Sequence, residues 1–389
     1  MENKNELGIY IHIPFCKQKC YYCDFISFVD KQEYIDKYIE SLKRELDSYE
    51  LNKYNITTIY VGGGTPSVIP SKNIKDLLYN IKEKIKENKT NWEDIEITLE
   101  VNPGTVDRKK LEEYKKAGVN RLSIGLQSAN NKLLKEIGRI HTFEEFLKTY
   151  NIAKQVGFKN INVDLMIGLP NQTIEDVKQS LTQIIKLNPT HVSVYSLIVE
   201  ENTKMEKMIN SNKLKLPNEE LERQMYWYVK NTLELNKYNH YEISNFSKKG
   251  KESKHNLNCW EQKEYIGLGV AAYSYLNNIR YGNTSSLEKY IEIKKFIDKK
   301  ELEEEEIRII DEIQNLDDRK KEYMLLGLRK IEGISIQKFK EKYIDNSIFL
   351  FRKELEKLVN EKLLVIDGDN IKLTNKGLDF ANIVWEEFV

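Results

Sequence analysis

Cys16, Cys20 and Cys23 lie in the run CKQKCYYC, three thiols on one short stretch at unequal spacings. Thiolates hold iron-sulfur clusters, normally one per iron, so three on one loop leave the fourth iron of a [4Fe-4S] cube without a protein ligand. An open metal position is where a substrate or cofactor binds. A structural zinc is the alternative reading; it is four-coordinate, and His12 is the only further donor close by.

Other residues with chemical potential recur along the first half of the chain. Gly62 to Pro66 read GGGTP, and Gly63, Gly64 and Thr65 can bring backbone amides to a ligand and aim a helix start at negative charge. The same glycines also suit a plain tight turn. Glu100 in LEVNP, Gln127 in GLQS, Arg139 in GRIH and Asp164 in VDLMIGLP each stand at or just past the end of an apolar run, where isolated polar residues often act as caps.

Those runs are the elements that must position them. Residues 8–14, 57–61, 95–101, 121–126, 160–167 and 191–197 read as strands, and residues 33–49, 74–86, 108–117, 143–156 and 174–187 carry apolar residues at helical spacing. Asp107 is placed to cap a helix start, and Gly118 and Gly157 to end helices. Alternation of this kind gives parallel βα units, either an open doubly wound sheet or a barrel. In both, functional residues gather past the carboxyl ends of the strands.

Beyond residue 200 the alternation stops. The tract KKELEEEE at 299–306 reads as solvated surface at a boundary, which divides the chain into 1–300 and 301–389. In the second part, helical patterns lead to LLVIDGDNIKLTNKG, where Asp367, Gly368 and Asp369 separate two short apolar runs, a hairpin signal and a winged-helix-like arrangement. It lacks the concentrated basic face of a DNA-binding module.

With 389 residues the chain can bury a large core and a smaller one. Lys plus Arg and Asp plus Glu both number 61, so bulk charge calls for neither nucleic acid nor an anionic membrane. No apolar signal core opens the sequence, and no segment has the length to span a bilayer, which places the protein in the cytoplasm. Of 4 cysteines, three share one motif and Cys259 stands apart, a usage that fits metal-bound thiols in a reducing compartment better than disulfides.

C-x-x-x-C-x-x-C just after a strand resembles the signature of radical S-adenosylmethionine (radical SAM) proteins. The resemblance implies a partial (β/α)6 barrel with a smaller, mostly helical C-terminal domain. It also implies that SAM chelates the open iron and that one electron splits it into methionine and a 5'-deoxyadenosyl radical. The GGGTP run is similar to the family's glycine motif for the methionine end of SAM, and Tyr10 on the first strand would sit beside the cluster. The order and spacing of Glu100, Gln127, Arg139 and Asp164 resemble the oxygen-independent coproporphyrinogen III oxidase branch, in which the matching residues contact SAM. Arg139 would then pair with a carboxylate, while the acids accept from hydroxyl or amine groups.

The chain departs from that oxidase in ways that resemble its sister group, the HemW-type haem chaperones. Phe25 stands where the oxidase has a further cysteine, and only nine residues precede Tyr10, whereas the oxidase has a long N-terminal segment. HNLNCW at 255–260 is similar to the H-N-x-x-x-W signature linked there to haem binding, which makes His255 an expected iron ligand, with Trp260 and Tyr265 able to stack on a porphyrin. Cys259, four residues on and on the same helix face, is either a second ligand or a small buried residue. The resemblance implies binding of a [4Fe-4S] cluster, SAM and one haem, transfer to a membrane-associated haem-protein acceptor, and no coproporphyrinogen III oxidase activity. The rival is the oxidase itself, removing carbon dioxide from propionate side chains. Dimerisation and productive SAM cleavage are left open by the sequence.

Overall fold

Six parallel strands in sequence order form the spine of the structure, a computed structural model that describes residues 5–86, 90–294, 296, 308–344 and 347–389. They are β1 (Glu6–Ile13), β2 (Asn55–Gly63), β3 (Glu96–Val101), β4 (Arg121–Gln127), β5 (Asn160–Ile167) and β6 (His191–Ser196). Between them run α1 (Ile35–Asp47), α2 (Ser71–Lys84), α3 (Arg108–Lys116), α4 (Asn131–Glu136), α5 (Phe143–Val156) and α6 (Ile174–Leu187). A doubly wound sheet reverses its strand order at a switch point. Here each strand pairs with the next, without reversal, and among the described residues the two ends of the sheet do not pair. The sheet is therefore the partial barrel, not the open doubly wound alternative.

Alternation along each strand separates two environments. On β1, Ile9, Ile11 and Ile13 are buried against the helices, and Gly8, Tyr10 and His12 face the other way, into the barrel. The helices are fixed by their ends: Asp107 caps α3, while Thr142 and Thr173 form capping boxes that start α5 and α6. Gly157 closes α5 at φ 92°, a conformation that glycine adopts without strain.

Further strands widen the sheet at both ends. After β6 come α7 (Lys204–Asn210) and α8 (Glu219–Leu235), then β7 (Asn239–Glu242) and β8 (Asn245–Ser247), the latter antiparallel to β6. The helix α9 (Lys254–Trp260) leads to β9 (Tyr265–Leu268), parallel to β1, followed by antiparallel β10 (Tyr273–Leu276) and β11 (Ile279–Asn283), and by α10 (Leu287–Glu292). The edge strand β12 (Arg308–Ile313) pairs with β11, so residues beyond 300 still belong to the large sheet. The tract at 299–306 lies outside the described residues.

The C-terminal part has its own core, built on Met324, Leu328, Phe339, Leu358 and Val384. Its helices are α11 (Leu316–Gly327), α12 (Ile336–Tyr343), α13 (Arg352–Asn360), α14 (Asn375–Asp379) and α15 (Ala381–Glu386). A three-stranded sheet of β13 (Ile334–Ser335), β14 (Leu364–Asp367) and β15 (Asn370–Leu373) forms the wing, its hairpin turning at Gly368 with φ 60°. Among the described residues no helix is long and apolar enough to cross a membrane.

Candidate functional site

The three cysteines leave β1 on a loop closed at its neck. Cys16 N–H donates to Phe28 O at 3.0 Å, and Phe28 N–H returns a bond to Pro14 O at 2.6 Å. Within the loop, Cys23 N–H donates to Cys20 O at 3.2 Å. Cys16 is buried and its sulfur lies 3.4 Å from Thr65 Oγ1, while Cys20 and Cys23 are half-buried.

His12 is not a fourth ligand. Its Nε2 must carry the proton, because it bonds the Ile26 carbonyl at 2.8 Å, and Nδ1 then accepts from Tyr10 OH at 3.0 Å. Both ring nitrogens are committed, and among the described residues no three His, Cys, Asp or Glu side chains converge as a single ion requires. The zinc alternative is thereby left without the fourth donor that a four-coordinate structural site requires.

A cavity of about 450 Å³ opens beside this loop, at the carboxyl ends of β1 to β6. Cys16, Cys20, Cys23, Gly63, Gly64, Thr65, Glu100, Gln127, Arg139 and Asp164, singled out in the sequence, all line it. Tyr10 and His255 do not. Tyr10 sits inside the barrel beside Tyr60, ring centroids 6.2 Å apart, and its hydroxyl is spent on His12.

The glycine turn works differently from the expected amide cradle. Gly63 N–H donates to Glu100 Oε2 at 3.2 Å, Gly64 N–H to Ile13 O at 3.0 Å and Thr65 N–H to Phe15 O at 2.9 Å, so all three amides already have partners. What the glycines provide is close approach. Gly63 has φ 107°, and a Cβ on Gly64 would lie 3.1 Å from Cys16 Sγ and 3.0 Å from Ile13 O, so a side chain there would push the cysteine loop away.

The cavity floor is acidic. Glu100 accepts from Tyr60 OH at 2.8 Å, and burial, assisted by the nearby Asp164, pushes its carboxyl up to about 7. Burial also raises Asp164, which is held by Asn162 Nδ2 at 2.7 Å and Ser123 Oγ at 3.2 Å. Arg121, itself buried, is the cation nearest these acids by effect, lowering both. Arg139 donates to Asn102 Oδ1 at 2.6 Å and Gly125 O at 3.3 Å, and its other nitrogen lies 3.5 Å from Cys20 Sγ. Its protein partners are an amide, a carbonyl, a thiol and the Tyr22 hydroxyl.

Gln127 supplies the test of fit. A bulge between Gly125 and Gln127 breaks the pairing of β4 with β5, and Gln127 stands at φ 68°, a strained conformation for a non-glycine residue. It is buried, and its Oε1 has no hydrogen-bond partner. A buried acceptor left unpaired on a cavity wall beside two carboxylates suits a ligand rich in donors and positive charge. SAM, with an amine, two ribose hydroxyls and a sulfonium, has that chemistry, so the residues present fit it.

The sequence reading missed Asn102, Tyr60 and Ser123, which also line the cavity. Asn102 follows Glu100 at strand spacing within LEVNP, and that alternation was the available signal.

The motif at 255–260 forms α9, which closes the opposite, amino-terminal end of the barrel. His255 is 8% exposed, its Nδ1 lies 2.9 Å from Thr58 Oγ1, and its ring stacks on Tyr60. The ring points into the barrel beside Thr58 and Tyr60, and burial lowers its pKa to about 4. Trp260 packs on Arg329 at 4.5 Å, and Tyr265 OH accepts from Arg280 at 3.1 Å. Cys259 is half-buried, and burial pushes its thiol up to about 11.

The sequence profile of the radical SAM superfamily matches residues 10–184, and that of the HemN C-terminal domain matches residues 314–380. The heme chaperone HemW of Lactococcus lactis is 39% identical over 384 residues, covering 98% of this chain and 96% of its own. Heme chaperone HemW of Bacillus subtilis is 35% identical over 383 residues, 98% of either chain. Among solved structures, coproporphyrinogen III oxidase (HemN) from Escherichia coli superposes with a TM-score of 0.81 at 22% identity, covering 99% of this chain and 90% of that one. At that identity the likeness speaks for the fold alone.

Proposed function

This chain belongs to the HemW family of radical SAM proteins, and from that premise we propose that it is a haem chaperone of the cytoplasm that binds a [4Fe-4S] cluster, SAM and one haem and passes the haem to an acceptor protein. The observation that carries the reading is 39% and 35% identity, over 98% of this chain, to proteins named heme chaperones. Phe25 supports it: the position that bears a cysteine in the oxidase branch holds an exposed phenyl ring on the cavity rim.

Cys16, Cys20 and Cys23 would hold the cluster, and Glu100, Gln127 and Asp164 would face SAM, with Gly63 to Thr65 keeping the backbone close. When bound, the cluster supplies an open iron and single electrons to SAM. The protein's part is binding and orientation. Gln127 Oε1 accepts a proton donor of the ligand, and the two acids accept hydroxyl or amine protons. Arg139, near Cys20, offsets the negative charge of the thiolates. We further propose that the two structural units divide between β12 and α11, since the second core begins at Tyr323.

The experiment is anaerobic incubation of reconstituted protein with coproporphyrinogen III, SAM and a reductant, followed by mass spectrometry of the tetrapyrroles. The chaperone reading expects no decarboxylated product from protein with a reducible cluster; protoporphyrinogen would replace it with the oxidase.

A further inference from the structure

A line of direct contacts runs from α9 through the barrel to the glycine turn. The His255 ring lies on Tyr60, centroids 5.1 Å apart and planes 29° from parallel. Tyr60 OH donates to Glu100 Oε1 at 2.8 Å, and Glu100 Oε2 accepts from Gly63 N–H at 3.2 Å. There is little slack in it. A Cβ on Gly62 would stand 2.8 Å from the Tyr60 ring and 3.0 Å from the Glu100 carboxylate, so ring and carboxylate pack directly on the strand.

We infer that His255 is a positioning residue of the cofactor cavity: by filling the barrel floor beneath Tyr60 it fixes the Tyr60 hydroxyl, and through it the direction in which Glu100 presents its free lone pairs. The inference rests on the reading that SAM binds in this cavity. Truncating His255 leaves a void the size of its ring under Tyr60, and a phenol free to tilt no longer holds the carboxylate in one orientation. The helix stays in place without the ring, because Ser253 caps it, Ser253 N–H donates to Tyr241 OH at 3.1 Å, and His255 N–H donates to Glu96 Oε1 at 3.2 Å.

The test measures SAM affinity by equilibrium dialysis on cluster-loaded protein, with haem affinity measured separately. His255→Ala and Tyr60→Phe are each expected to weaken SAM binding about fivefold or more, the effect of one misplaced hydrogen bond. His255→Phe, which refills the space under Tyr60, should return affinity to within about twofold of wild type, and the double variant His255→Ala with Tyr60→Phe should bind no worse than the weaker single one. Wild-type SAM affinity in folded His255→Ala overturns the inference, and if that variant also loses haem, the histidine is an iron ligand. Fully additive losses overturn the route through Tyr60. Failure of the wild-type protein to bind SAM overturns the cavity reading, and the inference with it.

Discussion

Asn102 Oδ1 accepts a 2.6 Å hydrogen bond from Arg139 Nη2, while its Nδ2 donates to Thr65 Oγ1 at 2.9 Å. One amide thereby joins the glycine turn after β2 to the arginine after α4, and both of those residues approach cysteine sulfurs. The arrangement makes Asn102 a brace for the cluster loop and the cavity wall together.

Replacing Asn102 with leucine keeps the volume and removes both bonds. Stranding partly buried polar groups costs about 1–3 kcal/mol, so urea unfolding should register a loss of about 2 kcal/mol. Iron content after reconstitution should stay near wild type, because no cysteine is lost. A stability change below about 0.5 kcal/mol, the range of an ordinary surface substitution, would contradict the bracing role.

Glu100 predicts a pH dependence in the cofactor-free protein. Its carboxyl is raised from the ordinary 4.5 to about 7, chiefly by burial, so between those values the folded state binds more protons than the unfolded one. Its contribution to stability is full below about 4.5 and is lost as pH rises through about 7. Glu100→Gln removes that loss. Comparing urea midpoints, the glutamine variant should gain on wild type between pH 5 and pH 8; an unchanged difference would contradict the assignment.

Arg329 is sandwiched between Trp260 of α9 and Trp385 of α15, at 4.5 and 4.6 Å. A desolvated cation on an aromatic face contributes up to about 2 kcal/mol. Arg329→Met should loosen the C-terminal unit from α9 without unfolding it, since that unit has its own core. Limited proteolysis between β12 and α11 should quicken while the products stay resistant; unaltered cleavage would mean that other contacts carry the docking.

Most of this architecture was legible in the sequence where local pattern and tertiary role agree. β5 and the helices α5 and α6 fall on the residues expected, since their apolar runs end in capping signals that act locally. β8 was not legible: three residues with one apolar side chain, paired only because β6 leaves an edge to extend. The cavity residues were found because strand ends are visible in sequence and the barrel gathers them. His255 shows the limit. Its spacing to Trp260 places both on one helix, yet which way that helix faces is decided by Thr58 and Tyr60, about 200 residues away in sequence. The amide partners of Gly63 to Thr65 were hidden for the same reason.

The most direct test of the central claim is an anaerobic absorbance titration of haem into the cluster-loaded protein. Saturation at one haem per chain, retained when the haem-loaded protein is passed through a desalting column, is the result the chaperone reading predicts. A linear, unsaturable response, with all haem lost on the column, would contradict it.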